Sequence, residues 1–324
     1  MSKLTIACLA VAALLLPGSA EPANAQSIGY AQAIDRLGAS CGKDIDKLCK
    51  KANLGGGRVT QCLDQNRAAV SSGCKASVTE LTAMIATRVQ ARAAVLRVCD
   101  ADIRRICAGV QPGDGNLMEC FYKARQNMSP SCQTAVTNAG YDAPINASAA
   151  TTQVALGSTD LISSLQGVEQ AGPDLSAARL RQMAVQSLND PSRTNRMNRA
   201  PLAERLDKLA QLTIAIQFDF NSARIRPSSF AAVGLMADAL YHPYLQGYRF
   251  LIVGHTDAKG NREYNLKLSQ QRADAIREAL INPFGISPAR IEAVGLGEEQ
   301  LLKPAAPEAA ENRRVQLINI GRGR

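Results

Sequence analysis

Two groups of residues in this 324-residue chain could do chemistry. The first is a set of cysteines at Cys41, Cys49, Cys62 and Cys74, followed by Cys99, Cys107, Cys120 and Cys132. Thiols in such numbers ligate metal or pair as disulfides. Cysteines eight positions apart on a helix lie about 12 Å apart along its axis, too far to share one ion, and no C-x-x-C pair occurs. Disulfides are therefore expected, and no metal. The second group is Asp257, in "GHTDAKG" at the exit of an apolar run, and Arg272, fifteen residues further on. Alone, Asp257 reads as a turn or capping residue and Arg272 as a solvated helix charge with a weak ion pair. Catalysis finds little to work with. His242 and His255 are the only histidines, no Ser, His and acid stand in a defensible triad order, and His255 lacks companion zinc ligands. The chain is read as a non-enzyme without cofactor.

The elements that must position these groups differ along the chain. Both cysteine quartets have steps of 8, 13 and 12, so "CGKDIDKLC" at 41–49 returns as "CDADIRRIC" at 99–107, a duplication with a period of 58 residues. Asp44/Asp102, Ile45/Ile103, Gly55/Gly113, Gly57/Gly115, Arg67/Arg125 and Ser71/Ser129 repeat with it. Each copy, about 35–80 and 93–138, reads as a helical hairpin broken at its glycines. If the hairpin is antiparallel, nested pairing is the easiest geometry: Cys49 with Cys62 near the turn and Cys41 with Cys74 further out, and likewise Cys107 with Cys120 and Cys99 with Cys132. Of thirteen aromatic residues nine lie beyond residue 200 and none is Trp, so the earlier half must be held by something other than large apolar side chains.

Residues 1–25 carry a basic start at Lys3, an apolar run from Leu4 to Leu16 and a small exit at Ala23 and Ala25, the layout of a cleaved signal peptide. Cys8 lies inside that run. Export implies an oxidising compartment in which the other eight cysteines pair. No later run is apolar enough for a transmembrane span. The formal net charge of +9 is spread among interleaved acids, which suits anionic lipid or wall polymer better than nucleic acid.

Residues 140–205, rich in Ala, Ser, Thr, Asn and Pro, read as a flexible linker with a short helix over 175–188. Beyond it the texture becomes strand-like in "LTIAIQFDF", helical in "PSSFAAVGLMADAL", strand-like in "YRFLIVGH", helical in "REYNLKLSQQRADAIREALI", then strand-like in "RIEAVGL" and "RRVQLINI". The order β-α-β-α-β-β implies a compact α+β domain over 206–324 with helices packed on one sheet.

Two resemblances sharpen this. The duplicated pattern, over about 35–136 of a region spanning 26–139, resembles the cysteine-rich repeat of the Golgi apparatus protein 1 family, which implies an all-α, disulfide-braced module and no particular activity. Residues 210–320 resemble the OmpA-like peptidoglycan-binding domain through "FDFNSARI" at 218–225, "GHTDAKG" at 254–260, "YNLKLSQQRADAI" at 264–276, "VGLGEE" at 294–299 and "NRRV" at 312–315. That resemblance implies a ligand, the diaminopimelate of the peptidoglycan stem peptide, whose free end carries an ammonium and a carboxylate on one carbon. It further implies that Asp257 takes the ammonium and Arg272 the carboxylate, through the two parallel hydrogen bonds a guanidinium offers. Phe220 and Asn221 match the wall of that pocket, Thr256, Ala258, Asn265 and Leu268 its floor and backbone donors, and Arg313 a neighbour. The expected protein is exported, periplasmic and wall-associated, peripheral to the outer membrane, and it displays its repeats across the linker. In the alternative reading the repeats bind a glycan or an outer-membrane or envelope protein, and the wall domain only positions them.

Overall fold

The computed structural model describes residues 29–111, 115–141, 158–166, 171–172, 175–195 and 199–323; the expected signal peptide lies outside them. The N-terminal part is helical: α1 (Tyr30–Leu48), α2 (Arg58–Gln65), α3 (Ser72–Val98), α4 (Asp100–Ile106), α5 (Asn116–Lys123) and α6 (Pro130–Asn138). Disulfides join Cys41 to Cys74, Cys49 to Cys62, Cys99 to Cys132 and Cys107 to Cys120.

Several of the residues that recur at the 58-residue period do the same work in each copy. Ser71 donates its N–H and hydroxyl to Asp44 Oδ2 at 3.1 and 2.6 Å, and Ser129 does the same to Asp102 at the same distances. Each serine hydroxyl also caps the helix that follows, accepting from Cys74 N and Cys132 N. Gly57 and Gly115, which start α2 and α5, have φ of 68° and 69°, a left-handed conformation that favours glycine. The second repeat closes its own small core around Val95, Phe121, Met128 and Val136.

The C-terminal part is a four-stranded mixed sheet with helices packed on it. Before it come α7 (Ser158–Leu165) and α8 (Ala177–Ser187), followed by β1 (Gln211–Ile214), α9 (Phe230–Tyr241), β2 (Tyr248–His255), α10 (Arg262–Ile281), β3 (Ile291–Gly297) and β4 (Val315–Arg322). The strand order is β1-β4-β2-β3, with β2 and β3 parallel and β4 antiparallel to both of its neighbours. Helix α10 lies unusually close to the sheet. A Cβ on Gly254 would fall 2.4 Å from Ser269 O, and one on Gly295 would fall 2.0 Å from Gln270 N, so glycine on two paired strands sets the depth of α10 and of every side chain it carries.

Two expectations need correction. The stretch 140–205 is not a plain spacer where it is described. Leu161 and Leu165 are buried in the main core, and Leu165 O accepts from Asn319 Nδ2 at 2.7 Å. Leu175, Leu180 and Ala184 cover the far face of the sheet, against Leu251, Val253, Val294 and Ile318. Alternate residues of the strands are apolar on both faces, so both faces require a cover.

Nor does the first repeat stand apart from the sheet domain. Every residue of α9 from Phe230 to Leu240 is buried, because α1 lies along its outer side. The two helices meet at small residues, where a Cβ on Gly234 would fall 2.6 Å from Ala31 Cα. Asp238 of α9 accepts from Tyr30 N and Ala31 N, both at 2.9 Å, and so caps α1 from another helix. Tyr30, Ile34, Cys41, Ile45 and Cys74 belong to the same core as Phe230, Phe250 and Ile276.

Candidate functional site

The site is built where β2 ends. The register between β2 and β3 slips between Gly254 and His255, Thr256 N–H donates to Gly297 O at 3.0 Å, and the chain then leaves the sheet with Asp257 at its exit. His255 just before it is buried and neutral, since burial and then the nearby Arg314 guanidinium hold its pKa well below the usual histidine value. Asp257 is 10 % exposed at its side chain. Its Oδ1 accepts from Lys259 N–H at 3.2 Å and its Oδ2 from Arg313 Nη1 at 2.5 Å.

Asn265 on the first turns of α10 ties the loop down. Its Nδ2 donates to Lys259 O at 2.9 Å, to Glu298 Oε2 at 2.8 Å and, more distantly, to Asp257 O at 3.3 Å. The helix begins under a cap from Asn261, which accepts from Tyr264 N–H at 2.9 Å.

Arg272, two turns beyond Asn265, donates through Nε to Ser222 O at 3.0 Å, and its guanidinium carbon sits 4.8 Å from the centre of the Phe218 ring. Burial, with a push from Arg313, lowers its pKa from the usual arginine value. That value starts so high that the group stays charged. Its Nη pair makes no hydrogen bond among the described residues, which leaves the fork open to a ligand.

The hairpin 218–226 supplies the opposite wall. Phe218 bridges to Ile225 across it, Asn221 at its tip has φ of 50°, and Phe220 is 93 % exposed. Together these groups line one cleft of about 700 Å³.

Of the residues that sequence reasoning selected, Asp257, Arg272, Phe220, Asn221, Thr256, Asn265, Leu268 and Arg313 all line this cleft. Ala258 does not. It is buried, and its N–H is taken by Pro307 O at 2.9 Å, so it is no free backbone donor. Thr256 N–H is likewise committed to the sheet, but the buried Thr256 hydroxyl has no partner among the described residues. Arg313 is more than a neighbour, since it pairs directly with Asp257. Phe218, Asp219, Arg226, Lys259, Gly260 and Tyr264 also line the cleft and were missed. For Tyr264 the signal was available: Tyr264, Leu268 and Arg272 recur at intervals of four, one face of a helix.

The OmpA family model matches residues 217–314, which contain the hairpin, Asp257, Arg272 and Arg313. Residues 217–314 are an OmpA-family domain. A second family model, described as a cysteine rich repeat, matches residues 72–129. Among curated proteins, the chain is similar to outer membrane porin F of Pseudomonas aeruginosa, 33% identical over 114 residues that make up 34% of this chain and 31% of that protein. It is also similar to the peptidoglycan-associated lipoprotein of the same organism, 36% identical over 102 residues, which are 31% of this chain and 58% of that one. The chain thus spans between 31% and 58% of these two relatives. The solved structure of the peptidoglycan-associated lipoprotein from Burkholderia pseudomallei is 34% identical, with 41% of this chain and 98% of that one covered and a TM-score of 0.29.

Proposed function

We propose that the OmpA-family domain binds peptidoglycan by holding the diaminopimelate end of a stem peptide, and so attaches this protein to the cell wall without a covalent bond. The observation that carries the reading is the presence of Asp257 and Arg272 in one cleft, the former an anion at a strand exit and the latter a cation with an open Nη pair. A carbon bearing both an ammonium and a carboxylate needs such a pair of opposite charges a few ångströms apart, and the fork of Arg272 matches the carboxylate in two parallel bonds. The relative named for its association with peptidoglycan supports the same reading.

The role is one of binding rather than catalysis. It puts the chain in the cell envelope, on the periplasmic side and peripheral to the outer membrane. No described helix is long and apolar enough to cross a membrane.

Calorimetric titration of the full chain with a soluble stem peptide ending in diaminopimelate tests the proposal. The wild type is expected to bind. Arg272→Lys, which keeps the charge and loses the fork, is expected to bind at least about tenfold more weakly, the equivalent of one good charge-assisted hydrogen bond. Absence of heat from the wild type would refute the reading.

A further inference from the structure

The first repeat reaches past α9 to the wall of the cleft. Its loop between Cys49 and Cys62, closed by their disulfide, carries Asn53 against the 218–226 hairpin. Asn53 Nδ2 donates to Ala223 O at 2.7 Å, and Asn53 Oδ1 accepts from Ile225 N–H at 3.0 Å. One side-chain amide thus replaces a neighbouring strand for two backbone groups of that hairpin.

Arg224, between them, is pinned from both sides, donating to Asp46 Oδ1 of α1 at 2.9 Å and to Asp219 Oδ2 at 2.6 Å. The same loop also touches α10. Gly55, at φ of 115°, lets its backbone approach Ala279, and Arg58 pairs with Glu278. The hairpin held in this way is the one whose Ser222 carbonyl fixes Arg272 through Nε.

We propose that the first cysteine-rich repeat braces the ligand cleft, with Asn53 as the positioning residue that sets the hairpin against Arg272. The proposal rests on the wall-binding reading of that cleft. Asn53 touches no ligand. It satisfies two backbone groups that otherwise let the hairpin move, and a hairpin that moves releases Ser222 O from Arg272, so the open Nη pair loses its aim. A charged side chain aimed by a second set of contacts loses affinity when those contacts go, even though the charge stays in place.

The test uses the full, oxidised chain and two readouts: hydrogen exchange of residues 218–226, and titration with the soluble stem peptide ending in diaminopimelate. Asn53→Ala is expected to speed amide exchange at Ile225 and to weaken binding about tenfold, with a thermal midpoint close to that of the wild type. Arg58→Gln, which removes a contact between the same loop and α10 away from the hairpin, is expected to keep wild-type affinity. Should Asn53→Ala fail to fold, Asp46→Asn loosens the hairpin through Arg224 from a half-exposed position and is expected to shift both readouts in the same direction.

Wild-type affinity and unchanged hairpin exchange in Asn53→Ala would overturn the brace, and so would an equal loss of affinity in Arg58→Gln. A wild type that ignores the peptide would count against the ligand assignment, while hairpin exchange in Asn53→Ala would still decide whether the brace exists.

Discussion

Replacing Cys41 and Cys74 together by serine is expected to lower the stability of the whole described fold, by on the order of 3–4 kcal/mol for a cross-link that closes a loop of this length. The reach of the effect follows from the packing. Cys41 and Cys74 are fully buried in the core that also holds Phe230, Phe250 and Ile276, and α1 covers the outer side of a helix whose residues from Phe230 to Leu240 are all buried. If the repeat were an appendage, its loss would leave the sheet domain untouched. Because they share a core, chemical denaturation followed by circular dichroism is expected to give a lower midpoint for the sheet domain as well. Two separate transitions, with the C-terminal one unmoved, would contradict this.

The second large effect concerns Glu299, whose side chain is 1% exposed. Arg262 grips it with two bonds at 2.6 and 2.8 Å, and Arg193 and Arg199 reach it at 3.2 and 3.3 Å. Arg193 and Arg199 belong to the stretch expected to be linker, so this carboxylate fastens that stretch to the start of α10. Glu299→Ala leaves three guanidinium groups around an empty place and is expected to cost about 3–5 kcal/mol, the usual penalty for removing one partner of a buried ion cluster.

The same residue sets an acid limit. Burial pushes the Glu299 carboxyl up, yet Arg262 and Arg199 outweigh it and hold the pKa below the ordinary 4.5. A carboxylate depressed in the fold contributes fully above its unfolded value, and that contribution is lost as pH falls through the folded value. Wild type and Glu299→Ala are therefore expected to differ in thermal midpoint at neutral pH, and the difference to narrow as pH drops below the ordinary glutamate range. A constant difference down to acid pH would remove the charge from the explanation.

Local rules made much of this legible. The cysteine period predicts hairpins because a disulfide needs only two nearby helices, and the paired Asp44/Ser71 and Asp102/Ser129 contacts lie 27 residues apart within one unit. Asp257 and Arg272 were visible because each sits in a short motif, whereas "LTIAIQFDF" read as one strand to Phe220 and in fact stops at Ile214, with the 218–226 hairpin beyond it. The docking of the first repeat was harder to see. The bond from Tyr30 N–H to Asp238 spans 208 residues, and the bond from Asn53 to Ala223 spans 170. One clue was present in "FAAVGLMADAL", a helix apolar on all sides but for Asp238, which must be buried almost all round and so needs a partner beyond its own sheet. The linker was misjudged for a related reason: Leu161 and Leu165 are too sparse for periodicity to register, and the helix expected over 175–188 does not name its partner, yet Leu161, Leu165, Leu175 and Leu180 are all buried where the sheet requires cover on both faces.

The central claim is that Asp257 and Arg272 hold the wall polymer, and co-sedimentation of the oxidised full chain with purified sacculi tests it most directly. Wild type is expected to pellet, and Asp257→Ala and Arg272→Ala, both folded by circular dichroism, are expected to stay in the supernatant. Pelleting of both variants to the same extent as wild type would contradict the account.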